Sequence, residues 1–483
     1  MADSELPTGM KYSNLLPLGE IAREEERVYY PNNGSTFKPN NNNKIIIPIN
    51  AMGFMDGKHS FLRFKLTNNN DKSVVFTSAH TCIQQCLVRS GTQILSQTDN
   101  YHIVATAMMG STQPYQSGAY EGQALNGSGP ISQVWQGGQS LGPSGTGAPR
   151  IQDTRSYSLS LIDGVLNSER YTPLLAMRNS QGLVLELTLN PQSAFMSNHS
   201  DDTALSSDYS ITDVEYHASI IEFGARFNEV FLQGVQQSGL TYHTVCFQDS
   251  VSSGPSGSGV APATINFNHK YRSLKSLFAL QVEPTPTAGT WAGVAGGTAS
   301  AGMAGKVVNN NVRSYRYNIG GVNYPPQYVV CNTYGSTGGL APANVLQAGS
   351  QGGDMALAET HKAFVSLGNR NFSGTSTQES WCRNPAGVGA TVPDQLADQK
   401  IGMSNGNNAN SMSFSLYSID TEAYAQDSSL LECGLDTASS GLSLDLQLQW
   451  DSAGAINQTI FHCVAMFDAL VSITPELVAV VSY

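Results

Sequence analysis

The sequence predicts an all-β chain made of two copies of one sandwich domain, with short helices and long loops. Three observations carry this. First, a block recurs: Ser156–Leu161, Tyr171–Leu175 and Gly182–Leu189 are echoed by Ser411–Leu416, Ser428–Leu431 and Gly441–Leu448. Each copy is an alternating strand, a Leu-Leu step and a second alternating strand. A solenoid repeats at about 20–50 residues, so a repeat this distant reads as a duplicated domain. Second, 483 residues exceed one ordinary core. Third, strand signals of period two recur along both halves and bury one face each.

Residues 1–35 lack periodicity, and Arg23-Glu24-Glu25-Glu26-Arg27 reads there as part of an arm or a short helix. Lys44–Ile49 is a strand whose Pro48, lacking an N–H, places it at a sheet edge or a bulge. Asp56-Gly57 signals a turn. In Phe61–Leu66, Leu62, Phe64 and Leu66 face inward while Arg63 and Lys65 face water. Thr81–Val88 is the next strand, and Tyr101–Met109 a short helix. A polar Gly, Ser, Gln and Pro loop fills 111–150, a length that marks a functional or linker-like segment. After the first repeat block come a strand at Asp208–Phe223 and a helix carrying Phe223, Phe227, Val230, Phe231 and Val235, capped by Gly239. Tyr242–Phe247 is a strand, and Gly254–Gly259 reads as a linker.

The second half opens with strands at Ala263–Phe267 and Leu274–Val282. A low-complexity loop at 285–311 follows, and it is expected to face outward and be dispensable for folding. Tyr315, Tyr317 and Ile319 alternate, Met355–Leu367 is a helix, and 370–409 is a polar loop. The second repeat block and Ile460–Leu470 complete the chain. The expected division is an N-terminal arm at 1–35, a first domain at 36–252, a linker at 253–261 and a second domain at 262–483. About eight strands per half, with short helices and long loops, match two tandem eight-stranded jelly-roll sandwiches best.

Composition limits the function. Charged residues are 13% of the chain, about half the usual share, and uncharged polar residues and 47 glycines replace them. Such a surface suits dense packing against copies of itself, because a buried charge needs a partner. The net charge is −12 and no Lys/Arg-rich run exists, which argues against direct, sequence-specific nucleic-acid binding. No signal peptide and no run of about 18 apolar residues is visible, so no transmembrane segment is expected. The seven cysteines (Cys82, Cys86, Cys246, Cys331, Cys382, Cys433 and Cys463) are then expected as free thiols. The sequons at Asn33, Asn126, Asn198, Asn371 and Asn457 are expected to be unused.

No catalytic, cofactor-binding or metal-binding residue is assigned, and no cofactor is expected. Gly289–Gly305 resembles a phosphate loop only superficially, since Gly305-Lys306 is followed by Val307 rather than Ser or Thr. Cys82 and Cys86 lack a second ligand pair for zinc and read as core thiols. His80, His217, His243, His361 and His462 form no H-x-H or H-x-x-x-H pair and accompany no G-x-S-x-G elbow. Glu186 and Asp445 are strand carboxylates on the face opposite the leucines, and nothing singles them out as a glycosidase pair.

An ordered set of segments spans nearly the whole chain. It comprises Tyr29-Tyr30-Pro31-Asn32-Asn33-Gly34-Ser35-Thr36-Phe37, Gly53–Leu62, Glu169–Leu174, Gly182–Leu187, Arg313–Pro325 and Ser418–Glu422. In this set the chain resembles the double jelly-roll major capsid proteins of small eukaryotic DNA viruses, the polinton-like viruses and virophages. The resemblance implies a structural protein of an icosahedral virion, with two upright jelly rolls per subunit and homotrimeric, pseudo-hexagonal, hexon-like capsomers. It implies as partners neighbouring capsomers, penton and minor capsid proteins and a host surface receptor, with assembly inside the host cell, and no enzymatic role. The alternatives are a carbohydrate- or receptor-binding β-sandwich (a viral spike or lectin), a minor capsid protein of the same fold, and, as an enzyme, a glycoside hydrolase.

Overall fold

The computed structural model describes residues 22–71, 74–76, 78–112, 139–141, 153–166, 168, 170–180, 182–198, 208–255, 257–258, 262–282, 312–331, 353–365, 416–422, 434–438, 442–450, 455–456 and 459–482. The loops expected at 285–311 and 370–409, and most of 111–150, lie outside these residues.

The first half contributes β1 (Ala22–Tyr29), β2 (Thr36–Phe37), β3 (Lys44–Ile49), β4 (Phe54–Thr67), β5 (Val74–Phe76), β6 (Ile83–Ser90), β7 (Gln93–Thr98), β8 (Gln139–Leu141), β9 (Thr154–Leu159), β10 (Leu183–Leu189), β11 (Ser197–Asn198) and β12 (Ser210–Phe223). The second contributes β13 (Leu240–Ser253), β14 (Gly257–Ser258), β15 (Ala263–Phe267), β16 (Leu274–Val282), β17 (Val312–Ile319), β18 (Val322–Val330), β19 (Tyr417–Asp420), β20 (Leu444–Trp450), β21 (Ala455–Ile456), β22 (Ile460–Ile473) and β23 (Ala479–Ser482). Helices cover Tyr101–Thr112, Ala225–Ser238 and Gly353–Val365.

The sheets repeat. In the first half one sheet runs β1-β12-β4-β9 and the other β3-β10-β6-β7. In the second half the corresponding orders are β13-β22-β16-β19 and β15-β20-β17-β18. In both, successive strands cross between two antiparallel sheets in the same order, which is the double-sheet jelly roll. The helix Tyr101–Thr112 follows β7, and Gly353–Val365 follows β18, so the helices match as well. Small sheets β11-β5-β8 and β14-β21 lie outside this pattern.

The repeated strands β10 and β20 show the same alternation. Leu183, Leu185, Leu187 and Leu189 are buried in one, and Leu444, Leu446 and Leu448 in the other. The intervening side chains are half-buried on the opposite face. Leu62, Phe64 and Leu66 of β4 point inward as their spacing requires. β3 is an edge strand, where the missing N–H of Pro48 breaks no interior ladder.

Several segments depart from the sequence reading. Arg23–Arg27 is neither arm nor helix but part of β1, which pairs with β12 from Ala22↔Phe223 to Tyr29↔Tyr216. Its charges conceal the period-two signal because the strand is an edge with little burial. Asp56-Gly57 makes no turn: both lie inside β4, where the ladder to β12 shifts register between His217 and Ser219. Ala79–Cys82 is a 3-10 turn, so the strand read from Thr81 begins at Ile83. The strand before the Gly254–Gly259 segment belongs to the second half's sheet, because β13 pairs along its whole length with β22. Within that glycine-rich segment, Gly257–Ser258 forms β14. The last paired strand ahead of β20 is Tyr417–Asp420, and 411–415 lie outside the described residues.

Between the halves stands the helix Ala225–Ser238. Phe227 and Phe231 join Phe54 and Phe223 in an aromatic cluster with ring centroids 4.4–6.4 Å apart. Gly239 ends the helix at φ 72, a left-handed conformation that favours glycine, and its N–H reaches Val235 O at 2.7 Å.

Candidate assembly interface

The first half meets the second along a seam that the chain builds from widely separated residues. Strand β7 lies against β13 and β23. Helix Tyr101–Thr112 is shared by both cores. Tyr101 and Ala105 belong to the first, whereas Ile103, Val104, Ala107 and Met108 belong to the second. In return Val471, Ile473, Leu477 and Ala479 from the end of the chain complete the first core. Apolar burial on both sides makes the seam a continuation of the two interiors.

Polar groups fix its register. Tyr101 Oη lies 2.9 Å from His80 Nδ1 and accepts from Ile162 N at 3.0 Å, which anchors the loop after β9. Asp163 shapes that loop by accepting from Val165 N, Leu166 N and Ser96 Oγ. Burial pushes the Asp163 carboxyl above its ordinary range, against the pull of these hydrogen bonds. The loop presents Gly164 to β13, where Thr244 Oγ1 donates to Gly164 O. A Cβ on Gly164 would collide with Val245 O and Cys246 Sγ, so the close approach requires glycine. Asn100 Nδ2 donates to Asp249 Oδ2 at 2.8 Å across the seam, and His462 Nδ1 lies 2.6 Å from the same oxygen.

Equivalent sheets carry equivalent polar ladders. In the first half, Glu26 on β1 lies 2.5 Å from His217 on β12, and Glu215 on β12 accepts from Arg63 on β4 at 2.9 Å. Burial would raise the Glu215 carboxyl, but hydrogen bonds from His217 and Arg63 hold it below its ordinary value. In the second half, His243 on β13 pairs with Asp468 on β22, and Lys275 on β16 reaches Asp468 at 3.4 Å and Glu422 at 2.5 Å. Burial raises the Asp468 carboxyl, and His243, Ser273 and Lys275 outweigh it. This second ladder is buried, so each charge depends on its partner.

The residues considered for chemistry are dispersed. Glu186 binds Arg89 at 2.5 Å on one half's sheet, and Asp445 accepts from Asn266 at 2.8 Å on the other's. They form no carboxylate pair. Among the described residues no cluster of His, Cys, Asp and Glu is arranged to hold a metal ion. Cys82, Cys86, Cys246, Cys331 and Cys463 are buried free thiols, while Cys382 and Cys433 lie outside the described residues. His361 sits on its helix with its imidazole pKa lowered by burial. Among the described residues no helix is long and apolar enough to cross a membrane.

No protein-family profile and no curated protein matches the chain. Solved structures do. PBCV-1 VP54, fitted into a reconstruction of the virophage Sputnik, aligns with a TM-score of 0.57 at 12% identity, over 98% of this chain and 99% of that one. The chain has the double jelly-roll fold. The quasi-atomic PBCV-1 virus capsid aligns at 0.56 with 11% identity over 98% and 99%. The Sputnik virophage structure aligns at 0.52 with 10% identity over 99% and 92%. These neighbours are viral capsid proteins of the double jelly-roll type. At such low identity the likeness establishes the shared fold, and the near-complete coverage means that both jelly rolls and the seam between them take part.

Proposed function

We propose that this double jelly-roll chain is a structural subunit of an icosahedral virus capsid, without enzymatic activity, that assembles as a homotrimeric capsomer of pseudo-hexagonal outline. The observation that carries the reading is the full-length overlap with PBCV-1 VP54, across 98% of this chain, combined with the same strand order in both halves. Two similar sandwiches side by side give one chain two near-equivalent edges. Three chains in a closed ring give every sandwich comparable neighbours. The charge-poor composition and the lack of a basic run favour packing against protein rather than nucleic acid. The partners in this reading are further capsomers, penton and minor capsid proteins and a host receptor. The location is the virion, with assembly inside the host cell. We divide the chain by sheet membership, with 22–223 as one jelly roll, 240–482 as the other and the helix Ala225–Ser238 joining them.

Light scattering coupled to size exclusion tests this at micromolar protein. The expected mass is three times the 51.5 kDa of the chain, and electron micrographs should show hexagonal particles. A monomer at every concentration would overturn the reading.

A further inference from the structure

We infer that the bulged edge strand β18 of one copy seats on the C-terminal end of edge strand β1 in the next copy. The inference rests on the oligomeric reading above and assigns the surfaces that make it. The chain supplies its own template. Strand β7 closes one sheet of the first jelly roll, and it lies against β13, the end strand of the second. By sheet order β18 is the counterpart of β7, and β1 is the counterpart of β13. Within one chain, β18 and β1 have no such partner among the described residues.

The two counterparts share a local feature. The ladder between β6 and β7 slips after Val88↔Ser96 to Arg89↔Ile94, leaving Leu95 as the extra residue. Leu95 is fully buried, in the core that also takes Val471, Ile473 and Ala479 from the second half. The ladder between β17 and β18 also slips, one pair further from its turn, from Tyr315↔Val329 to Tyr317↔Tyr324. Here Arg316 faces the whole stretch Pro325–Tyr328, so the bulge is larger. Its order is set from behind, with the Arg316 guanidinium 4.2 Å from the centre of the Tyr328 ring and its Nε donating to Gln447 at 2.6 Å.

The exposed side of β18 has the chemistry of a contact surface. The strand (VNYPPQYVV) holds no charge, Val322 is 55% exposed, and Pro326 and Gln327 face water. Interface cores are depleted in charge and enriched in tyrosine. Pro325 and Pro326 cannot donate to a ladder, so the contact is made by side chains and not by added strand pairing.

On β1 the charges are already matched within the chain. Arg23 and Arg27 pair with Glu222 and Glu25, Glu26 with His217, and Glu24 accepts from Ser219. Past them Val28 is 37% exposed, and Tyr30, 61% exposed, lines an open groove of about 330 Å³ that reaches Phe37, Arg63 and Lys65. This end corresponds to the part of β13 where Asp249 receives Asn100. A contact between unlike surfaces propagates head to tail, and it closes into a ring of three when each step turns by a third of a full rotation with no rise along the axis.

Disulfide trapping in the full chain tests the pairing. Val28→Cys and Gln327→Cys are combined, oxidised mildly and run on a non-reducing gel, with each single variant as control. The expected result is a ladder ending at three linked chains in the double variant alone. A second variant, Gln327→Arg, should weaken association at least tenfold by light scattering while leaving the far-UV spectrum unchanged. A trimer that neither cross-links nor responds to Gln327→Arg would overturn the inference and leave the trimer standing. A chain that stays monomeric would overturn both.

Discussion

Asn100, at the end of β7, donates its side-chain amide to Asp249 on β13 at 2.8 Å and so joins the two jelly rolls. The Asp249 side chain is fully buried, and its Oδ2 also lies 2.6 Å from His462 Nδ1. One carboxylate therefore serves both halves. Asp249→Ala would leave two polar groups without their acceptor in a buried site. The expected loss is about 1–3 kcal/mol, measured as a shift in the denaturant midpoint. Asp445→Ala, on a half-buried strand face, should cost only about 0.5 kcal/mol.

Gly164 and Gly234 should respond to alanine with opposite signs. A Cβ at Gly164 would meet the β13 backbone at Val245 O, so the seam must open. The expected cost of Gly164→Ala is about 1–3 kcal/mol, as for other overpacked sites. Gly234 lies inside the helix Ala225–Ser238, with nothing within 4 Å of an added Cβ. Gly234→Ala should stabilise by about 0.5–1 kcal/mol through helix propensity. Calorimetry of both variants should show melting temperatures on either side of the wild type.

Leu446 and Gln447 test the duplicated strand. Leu446 is fully buried in the second core, and Leu446→Ala should cost about 2–5 kcal/mol in a denaturant titration. The neighbouring Gln447 is more than a surface residue, because its Oε1 accepts from Arg316 Nε at 2.6 Å and from Tyr328 Oη at 3.4 Å. Gln447→Ala should cost about 1 kcal/mol and should also weaken association if the β18 bulge is the contact surface. Equal small effects from both substitutions would contradict the strand's orientation.

The sequence disclosed what alternates. Leu62, Phe64 and Leu66 announced β4, the paired leucines announced β10 and β20, and Pro48 announced an edge. It concealed β1, which is charged on both faces because its sheet edge is exposed. β16 does not alternate either, yet its apolar run marks Leu274–Val282 as a strand; it is buried on nearly every residue, Lys275 included, because a buried ladder neutralises that charge. The seam left no local signal at all, since Asn100 and Asp249 stand 149 residues apart. Gly164 is one of 47 glycines, and its collision with β13 exists only once the halves are packed. Topology was readable from period and repetition, whereas the interface depends on contacts that only the fold creates.

Acid should weaken the seam through His102. This residue follows Asn100 on the helix shared by both cores, and its Nδ1 has no hydrogen-bond partner among the described residues. Burial, with the neighbouring His462 adding to it, pushes its imidazole down to about 3. In the unfolded chain the ring titrates at its ordinary 6.5. Between these values the unfolded state binds the extra proton, so stability falls as pH drops from 6.5 toward 3 and is unaffected above 6.5. The largest slope this group can give is about 1.4 kcal/mol per pH unit. His269, also held low by burial, acts in the same direction. Asp420 opposes them, because burial raises its carboxyl to about 6 and the folded state then takes up the proton first. A difference measurement separates the contributions. Urea midpoints of wild type and His102→Gln, at fixed protein concentration from pH 7.5 to 4, should keep a constant offset above pH 7. Below about pH 6 the wild type should lose stability relative to the variant. Parallel curves over that range would mean that His102 takes up its proton without disturbing the fold.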